Sequence, residues 1–197
     1  MSSSSHSSSA EFARRAAAAL ALGIALALPA WAGDLLPTHV TRYIADARLA
    51  GSGRLTWYGF HVYDADLYAA QRALDPRDPT AQPFVLELRY ARRLKGEAIA
   101  EASRDEMTRL GYGTPAQRAA WLATMARLFP DVSSGQRLAG VNLPGQGVRF
   151  YFDGRFIGAV DDAAFARAFF AIWLDERTQA PALREALLRP ERAAPRA

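Results

Sequence analysis

The chain of 197 residues contains no cysteine, which excludes disulfides, thiolate metal centres, cysteine nucleophiles and a lipid-bearing cysteine. Lysine is almost as scarce: of 24 basic residues only Lys95 is lysine and the rest are arginine. There are 3 histidines, His6, His39 and His61, and none stands in an HxH or HExxH spacing, so no metal site is expected. Gly51-Ser52-Gly53 and Gly145-Gln146-Gly147 lack the lysine and helix start of a phosphate-cradling loop and read as turn signals. Ser133-Ser134 lacks the glycine-flanked elbow of a hydrolase nucleophile. No cofactor is expected from any of these patterns.

Long apolar runs are also missing. The longest, Ala16 to Leu28, falls short of the roughly 20 residues that span a bilayer. It follows Arg14-Arg15 and precedes Pro29-Ala30-Trp31-Ala32, a small-x-small pattern, so residues 1–32 read as a secretory signal peptide cleaved after Ala32. The arginine pair lacks the rest of a twin-arginine signal. Met1 to Ser9 is low in complexity. A periplasmic or secreted protein is therefore expected, with one domain over 33–189, an unstructured tail over 190–197 and no membrane span after cleavage.

Removing the leader leaves 22 basic against 19 acidic residues. The bias is weak, and the only dense cluster, Arg89, Arg92, Arg93 and Lys95, reads as a solvated strand end, so nucleic acid is not an expected partner.

The remaining sequence divides into strands, two helices, three strands and two helices. Gly33 to Ala50 reads as an extended lead-in, with Tyr43 to Ala50 a candidate strand. Gly51 to Tyr68 reads as a hairpin reversing at Tyr58-Gly59. Proline breaks Gln71 to Pro83 into a loop. Phe84 to Tyr90 alternates, Phe84, Leu86, Leu88 and Tyr90 against Val85, Glu87 and Arg89, as a strand buried on one side. Leu94 to Leu110 has helical spacing and ends at Gly111. Thr114-Pro115-Ala116-Gln117 carries the capping-box signature of a further helix, whose Trp121, Leu122, Met125, Leu128 and Phe129 make an apolar stripe. Strands follow over Gln136–Leu143, Val148–Phe152 and Arg155–Val160, with Asp153-Gly154 as a hairpin turn. Asp161 or Asp162 caps a helix bearing Phe165, Phe169, Ile172 and Trp173, and Pro181 opens the last. This segregated order predicts an α+β domain, a mostly antiparallel sheet with helices on one side.

The candidate chemistry lies in the hairpin. With a two- or four-residue reversal, paired positions sum to about 117, which sets Arg54 opposite Tyr63 on one face; a three-residue loop would separate them. An arginine there needs a partner if buried. Asp64, Asp66 or Glu87 could serve, or the oxygen of a small ligand, which a guanidinium and a phenol together would hold. Asp64 and Asp66 share a strand face, and with so much arginine nearby an ion pair is the expected fate.

Gly51 to Tyr68, Leu88-Arg89-Tyr90-Ala91-Arg92-Arg93-Leu94-Lys95-Gly96, Leu128 to Gly135, Val148 to Gly158 and Phe169 to Leu174 resemble the bacterial chalcone isomerase-like proteins, in order and over essentially the whole mature chain. The resemblance implies an open-faced β-sandwich, an antiparallel sheet with a helical layer and a ligand cleft between them. It implies cleft-facing roles for Arg54 and, allowing a shift of one residue, Tyr63 as ligand-binding residues. Where the isomerases carry tyrosine, lysine and asparagine on the following helix, this chain has Ile99, Ala102 and Glu106, and Tyr90 belongs to the preceding strand. That departure favours a non-catalytic binder of a small amphiphilic carboxylate or fatty-acid-like ligand over an isomerase or intramolecular lyase. A cleft filled by Trp57, Phe84, Trp121 and Phe169 would instead indicate a partner-binding envelope protein.

Overall fold

The structure, a computed structural model, describes residues 36–71 and 73–189. The signal-peptide and tail expectations, over 1–32 and 190–197, lie outside the described residues. One sheet of six strands organises this part of the chain: β1 (Arg48–Trp57), β2 (Phe60–Ala69), β3 (Phe84–Tyr90), β4 (Arg137–Leu143), β5 (Gly147–Phe152) and β6 (Arg155–Val160). Neighbours in sequence are neighbours in the sheet and every pair is antiparallel. α2 (Gly96–Leu110) and α3 (Pro115–Leu128) are inserted between β3 and β4, and α4 (Ala163–Leu174) and α5 (Pro181–Leu188) follow β6. The α+β sheet-and-helix architecture expected from the element order is the one observed.

Local signals explain the helix starts. Thr114 Oγ1 accepts from the Gln117 amide at 3.2 Å while Gln117 Oε1 accepts from the Thr114 amide at 2.8 Å, the reciprocal pair of a capping box. Asp162, not Asp161, caps α4, accepting from the Ala164 and Phe165 amides. Its other oxygen accepts from Trp121 Nε1 at 2.9 Å, which ties α3 to the start of α4.

Helices α2 to α5 cover one face of the sheet, the inner face. Phe84, Leu86, Leu88 and Tyr90 of β3, Phe150 of β5 and Phe165, Phe169 and Phe170 of α4 form one continuous core there. Edge-on ring contacts run through it, as between Phe84 and Phe170 at 4.6 Å and Phe150 and Phe169 at 5.2 Å.

Three sequence expectations are corrected. The outer face of β3 is also covered, because the segment through α1 (Thr38–Thr41) folds across it and buries Val40 and Ile44 against Val85, Ala139, Val141 and Tyr151. His39 of that turn is buried with Nε2 3.0 Å from Glu87 Oε2. Tyr43 to Ala50 is not a separate strand: only its last three residues are extended, and they continue directly into β1. Gly51-Ser52-Gly53 is not a turn but the middle of β1, where α5 lies so close that a Cβ on Gly51 would stand 2.1 Å from the Leu187 carbonyl oxygen.

Candidate functional site

The β1–β2 hairpin closes with a two-residue turn, Tyr58 at φ 47° and Gly59 at φ 81°, as a type I′ reversal requires. From that turn the pairs Trp57↔Phe60 and Thr56↔His61 sum to 117, as expected, but a β-bulge then leaves Val62 unpaired. Beyond it the sum is 118, so Leu55 faces Tyr63 and Arg54 faces Asp64. Side chains alternate across a strand, so this single extra residue sends Arg54 and Tyr63 to opposite faces. The expected pair on one face does not form.

On the outer face Arg54 Nε donates to Asp64 Oδ1 at 2.8 Å, and Arg89 Nη2 to Asp64 Oδ2 at 3.0 Å. His61 Nε2 lies 3.1 Å from the same carboxylate. Burial raises the Asp64 pKa, but hydrogen bonding and charge from Arg54, with charge from His61 and Arg89, outweigh it and hold the group below its ordinary value. Arg54 is well exposed, its side chain at 62%. The ion pair expected for Asp64 is present, and it consumes Arg54.

On the inner face a cavity of about 270 Å³ lies between the sheet and helices α2 and α4. Its wall is almost wholly apolar, with Leu88, Leu138, Phe129 and Phe169 among the contributors. Trp57 is at the surface, and Phe84 and Trp121 are buried in the core but do not line the cavity. The exposed Ala98 and Ala102 and the half-buried Leu55, Val62, Leu94 and Ile99 mark an opening where the hairpin meets the first half of α2. Tyr63 and Tyr90 are buried on the wall.

Those two tyrosines are the polar content of the buried end. They are directly paired across β2 and β3, their rings 5.8 Å apart and edge-on. Tyr63 Oη accepts from Trp173 Nε1 at 2.8 Å, leaving its own proton without an acceptor among the described residues; the Tyr90 hydroxyl has no hydrogen bond to another described residue. Desolvation by burial pushes both phenols well above their ordinary pKa, only partly opposed for Tyr63 by the Trp173 bond and reinforced for Tyr90 by its neighbour. Both are therefore neutral donors. Ser103 is already committed, its Oγ donating to the Ile99 carbonyl at 2.8 Å. Glu106 does not reach the cavity and is held by Arg109 and Gln179. The lining thus offers hydrogen-bond donors and no charged acid or base.

Tyr63 is where the sequence suggested, Arg54 is not, and Tyr90 was missed. The alternation of Phe84, Leu86, Leu88 and Tyr90 already put Tyr90 on the inner face; what the sequence did not show was its register against Tyr63. A larger groove of about 520 Å³, between the loop at Pro76 to Thr80 and the end of α4, mixes charged side chains such as Arg167 and Asp175 with apolar ones such as Ala171 and Leu174. Its Asp175 is held by Arg177, which pulls its pKa down to about 2, and by the Tyr112 hydroxyl, so its charge is already satisfied within the protein.

A six-stranded antiparallel sheet with a helical layer over one face and an apolar cavity between the two defines an open-faced β-sandwich. The chain belongs to the chalcone isomerase-like family, which it matches over residues 31–189. It is also similar to an uncharacterized protein of Haemophilus influenzae, 29% identical over 126 residues, which are 63% of this chain and 59% of that one; the chain therefore spans under two thirds of that relative's length. Among solved structures it resembles a fatty-acid binding protein of Arabidopsis thaliana with a TM-score of 0.58 and 17% identity, covering 73% of this chain and 87% of the other, a likeness of fold.

Proposed function

We propose that the protein is an exported, non-catalytic binder of a small amphiphile, an acyl chain ending in a carboxyl group, held with the chain along the apolar wall and the head against Tyr63 and Tyr90. The observation that carries this is the pair of neutral phenols with protons to donate at the buried end of an otherwise apolar cavity. The likeness of fold to the fatty-acid binding protein of Arabidopsis thaliana agrees with it. At roughly 30 Å³ for each water-sized group, the cavity holds about nine such groups, so a medium-length chain fits inside and a longer one projects between β1 and α2. The lack of a base in the lining favours binding over turnover.

Calorimetric titration with decanoic acid tests the reading. The wild type binds; Tyr63→Phe and Tyr90→Phe each weaken binding about fivefold, the worth of one net hydrogen bond. With no cation on the wall, the protonated acid is preferred and affinity falls as pH rises through the bound acid's pKa, which burial sets above the usual value of about 4. Failure of every saturated acid from hexanoic to dodecanoic to bind would sink the proposal. Export is tested by sequencing the N-terminus of the protein recovered from outside the cytoplasm, which should begin at Gly33.

A further inference from the structure

Among the described residues, the tip of the β1–β2 hairpin gathers most of the exposed large aromatic side chains. Trp57 is 47% exposed, Tyr58 87% and Phe60 64%, three large aromatic side chains in four consecutive residues. Their position is not conformationally convenient. Tyr58 occupies the left-handed region at φ 47°, where asparagine or glycine would be easier and a bulky residue is strained. Backbone strain that displays a hydrophobic ring to water points towards a partner for that ring.

The charges beside the tip indicate which partner. The loop from Ala91 to Lys95 is tied to the hairpin by the Ala91 amide donating to the Val62 carbonyl at 2.9 Å. It places the Arg92 guanidinium over the Phe60 ring, 5.6 Å from its centroid. The nearby carboxylates are occupied: Asp64 by Arg54 and Arg89, Asp131 by Lys95 at 2.6 Å and by the Gly96 amide. Among the described residues neither Arg92 nor Arg93 makes a direct ion pair, and both are exposed; Arg93 acts on the Asp131 carboxylate, already bound to Lys95, only through its charge. Glu97, in the first turn of α2, is the remaining acidic neighbour in sequence. The surface therefore combines aromatic side chains with exposed guanidinium groups that no carboxylate binds directly, the pairing that suits the headgroup region of an anionic bilayer.

The same surface adjoins the mouth of the cavity. Leu55 and Val62, just inside the tip, and Leu94, just after Arg93, all line the opening. We propose that the Trp57-Tyr58-Gly59-Phe60 tip, with Arg92 and Arg93, docks on an anionic lipid bilayer and turns the cavity mouth to it, so that an acyl ligand passes between bilayer and protein without crossing water. The docking stands on the surface alone; its use for ligand transfer rests on the binding reading above.

The test uses the exported protein beginning at Gly33, which lacks Trp31, with vesicles rich in phosphatidylglycerol and phosphatidylcholine vesicles for comparison, and follows tryptophan quenching by brominated lipid. The anionic vesicles should quench the wild type, and Trp57→Phe should remove that quenching while leaving sedimentation with vesicles largely intact. The double variant Arg92→Gln, Arg93→Gln should partition about 30-fold less onto anionic vesicles, roughly fivefold for each charge, and should lose little on neutral ones. Tyr58→Asn should melt higher than the wild type yet bind vesicles less, which separates docking from loss of fold. Quenching that persists in Trp57→Phe would overturn the proposal, since the lipid contact would then lie elsewhere. A dimer in vesicle-free sedimentation that Tyr58→Asn dissociates would overturn it too, assigning the tip to self-association. Decanoic acid titrated without vesicles keeps the two proposals apart: the acid can bind where docking fails, and the tip can dock where the acid does not bind.

Discussion

The two faces of the β1–β2 hairpin are built from neighbouring residues and have opposite chemistry. Outward, Ser52, Arg54, Asp64 and Asp66 form a wet polar ladder: Ser52 Oγ donates to Asp66 at 2.6 Å, and Asp64 collects Arg54, Arg89 and His61. Inward, Gly51, Gly53, Leu55 and Tyr63 meet α5, the core and the cavity, with no formal charge. Strand alternation makes such a division possible, but the bulge at Val62 decides which residues fall on each side. Without it Arg54 would share a face with Tyr63, and the cavity would hold a cation. With it the arginine is paired in solvent and the cavity keeps only neutral phenols, so the expected head-group recognition changes from ion pairing to hydrogen bonding.

The contrast is most easily broken by putting a charge on the wrong side. Tyr63→Asp would set an unpaired carboxylate in the core and remove the acceptor of Trp173 Nε1, which should cost more than about 4 kcal/mol or abolish folding. Arg54→Ala, one strand pair away, should cost less than about 1 kcal/mol and leave decanoate affinity unchanged. Denaturant titration of both variants reads the difference; equal costs would mean the faces are not divided as described. A second contrast uses adjacent residues of β1. Gly51→Ala forces a methyl group against the Leu187 carbonyl and should destabilise by about 1–3 kcal/mol or displace α5, while Ser52→Ala should stay within about 1 kcal/mol. Within the inner face, Trp173→Phe removes the bond to Tyr63 Oη and should cost about 1 kcal/mol; in a cycle with Tyr63→Phe the two losses should not add.

Much of the fold was legible because its signals are local. The capping box at Thr114, the Asp153-Gly154 turn, the alternation of Phe84 to Tyr90 and the proline at the start of α5 each specify an element through their own neighbours, and the elements formed there. The candidate site was half legible for the opposite reason. Tyr63 on a strand beside a core is readable, but the bulge one residue earlier leaves no mark in a stretch where Phe60 to Tyr63 all suit a strand. Gly51-Ser52-Gly53 misled in the same way, because a glycine kept for close approach of a distant helix reads like a glycine kept for a turn. The cover on the outer face of β3 was hidden because Val40 and Ile44 lie in a short segment without strong periodicity.

The smallest effect is also the one with the clearest sign. Asp64 titrates below its ordinary value in the folded protein, so its interactions with Arg54, Arg89 and His61 add stability at pH above the unfolded carboxyl value, near 4. That contribution declines as pH falls below this value through the lower folded pKa, because protonation removes the charge that the two arginines bind. Asp64→Asn should therefore cost up to about 1 kcal/mol at neutral pH, and the gap from the wild type should close in acid. Moderate salt should narrow the gap as well, since both arginines are exposed. On the inner face, the fold stability of Tyr63→Phe relative to the wild type should not change with pH across the same range, because a phenol with a raised pKa stays neutral throughout. Chemical denaturation of Asp64→Asn, Tyr63→Phe and the wild type from neutral to acid pH measures both slopes. A gap that grows in acid for Asp64→Asn, or a pH-dependent gap for Tyr63→Phe, would show that the charge division between the faces is not the one described.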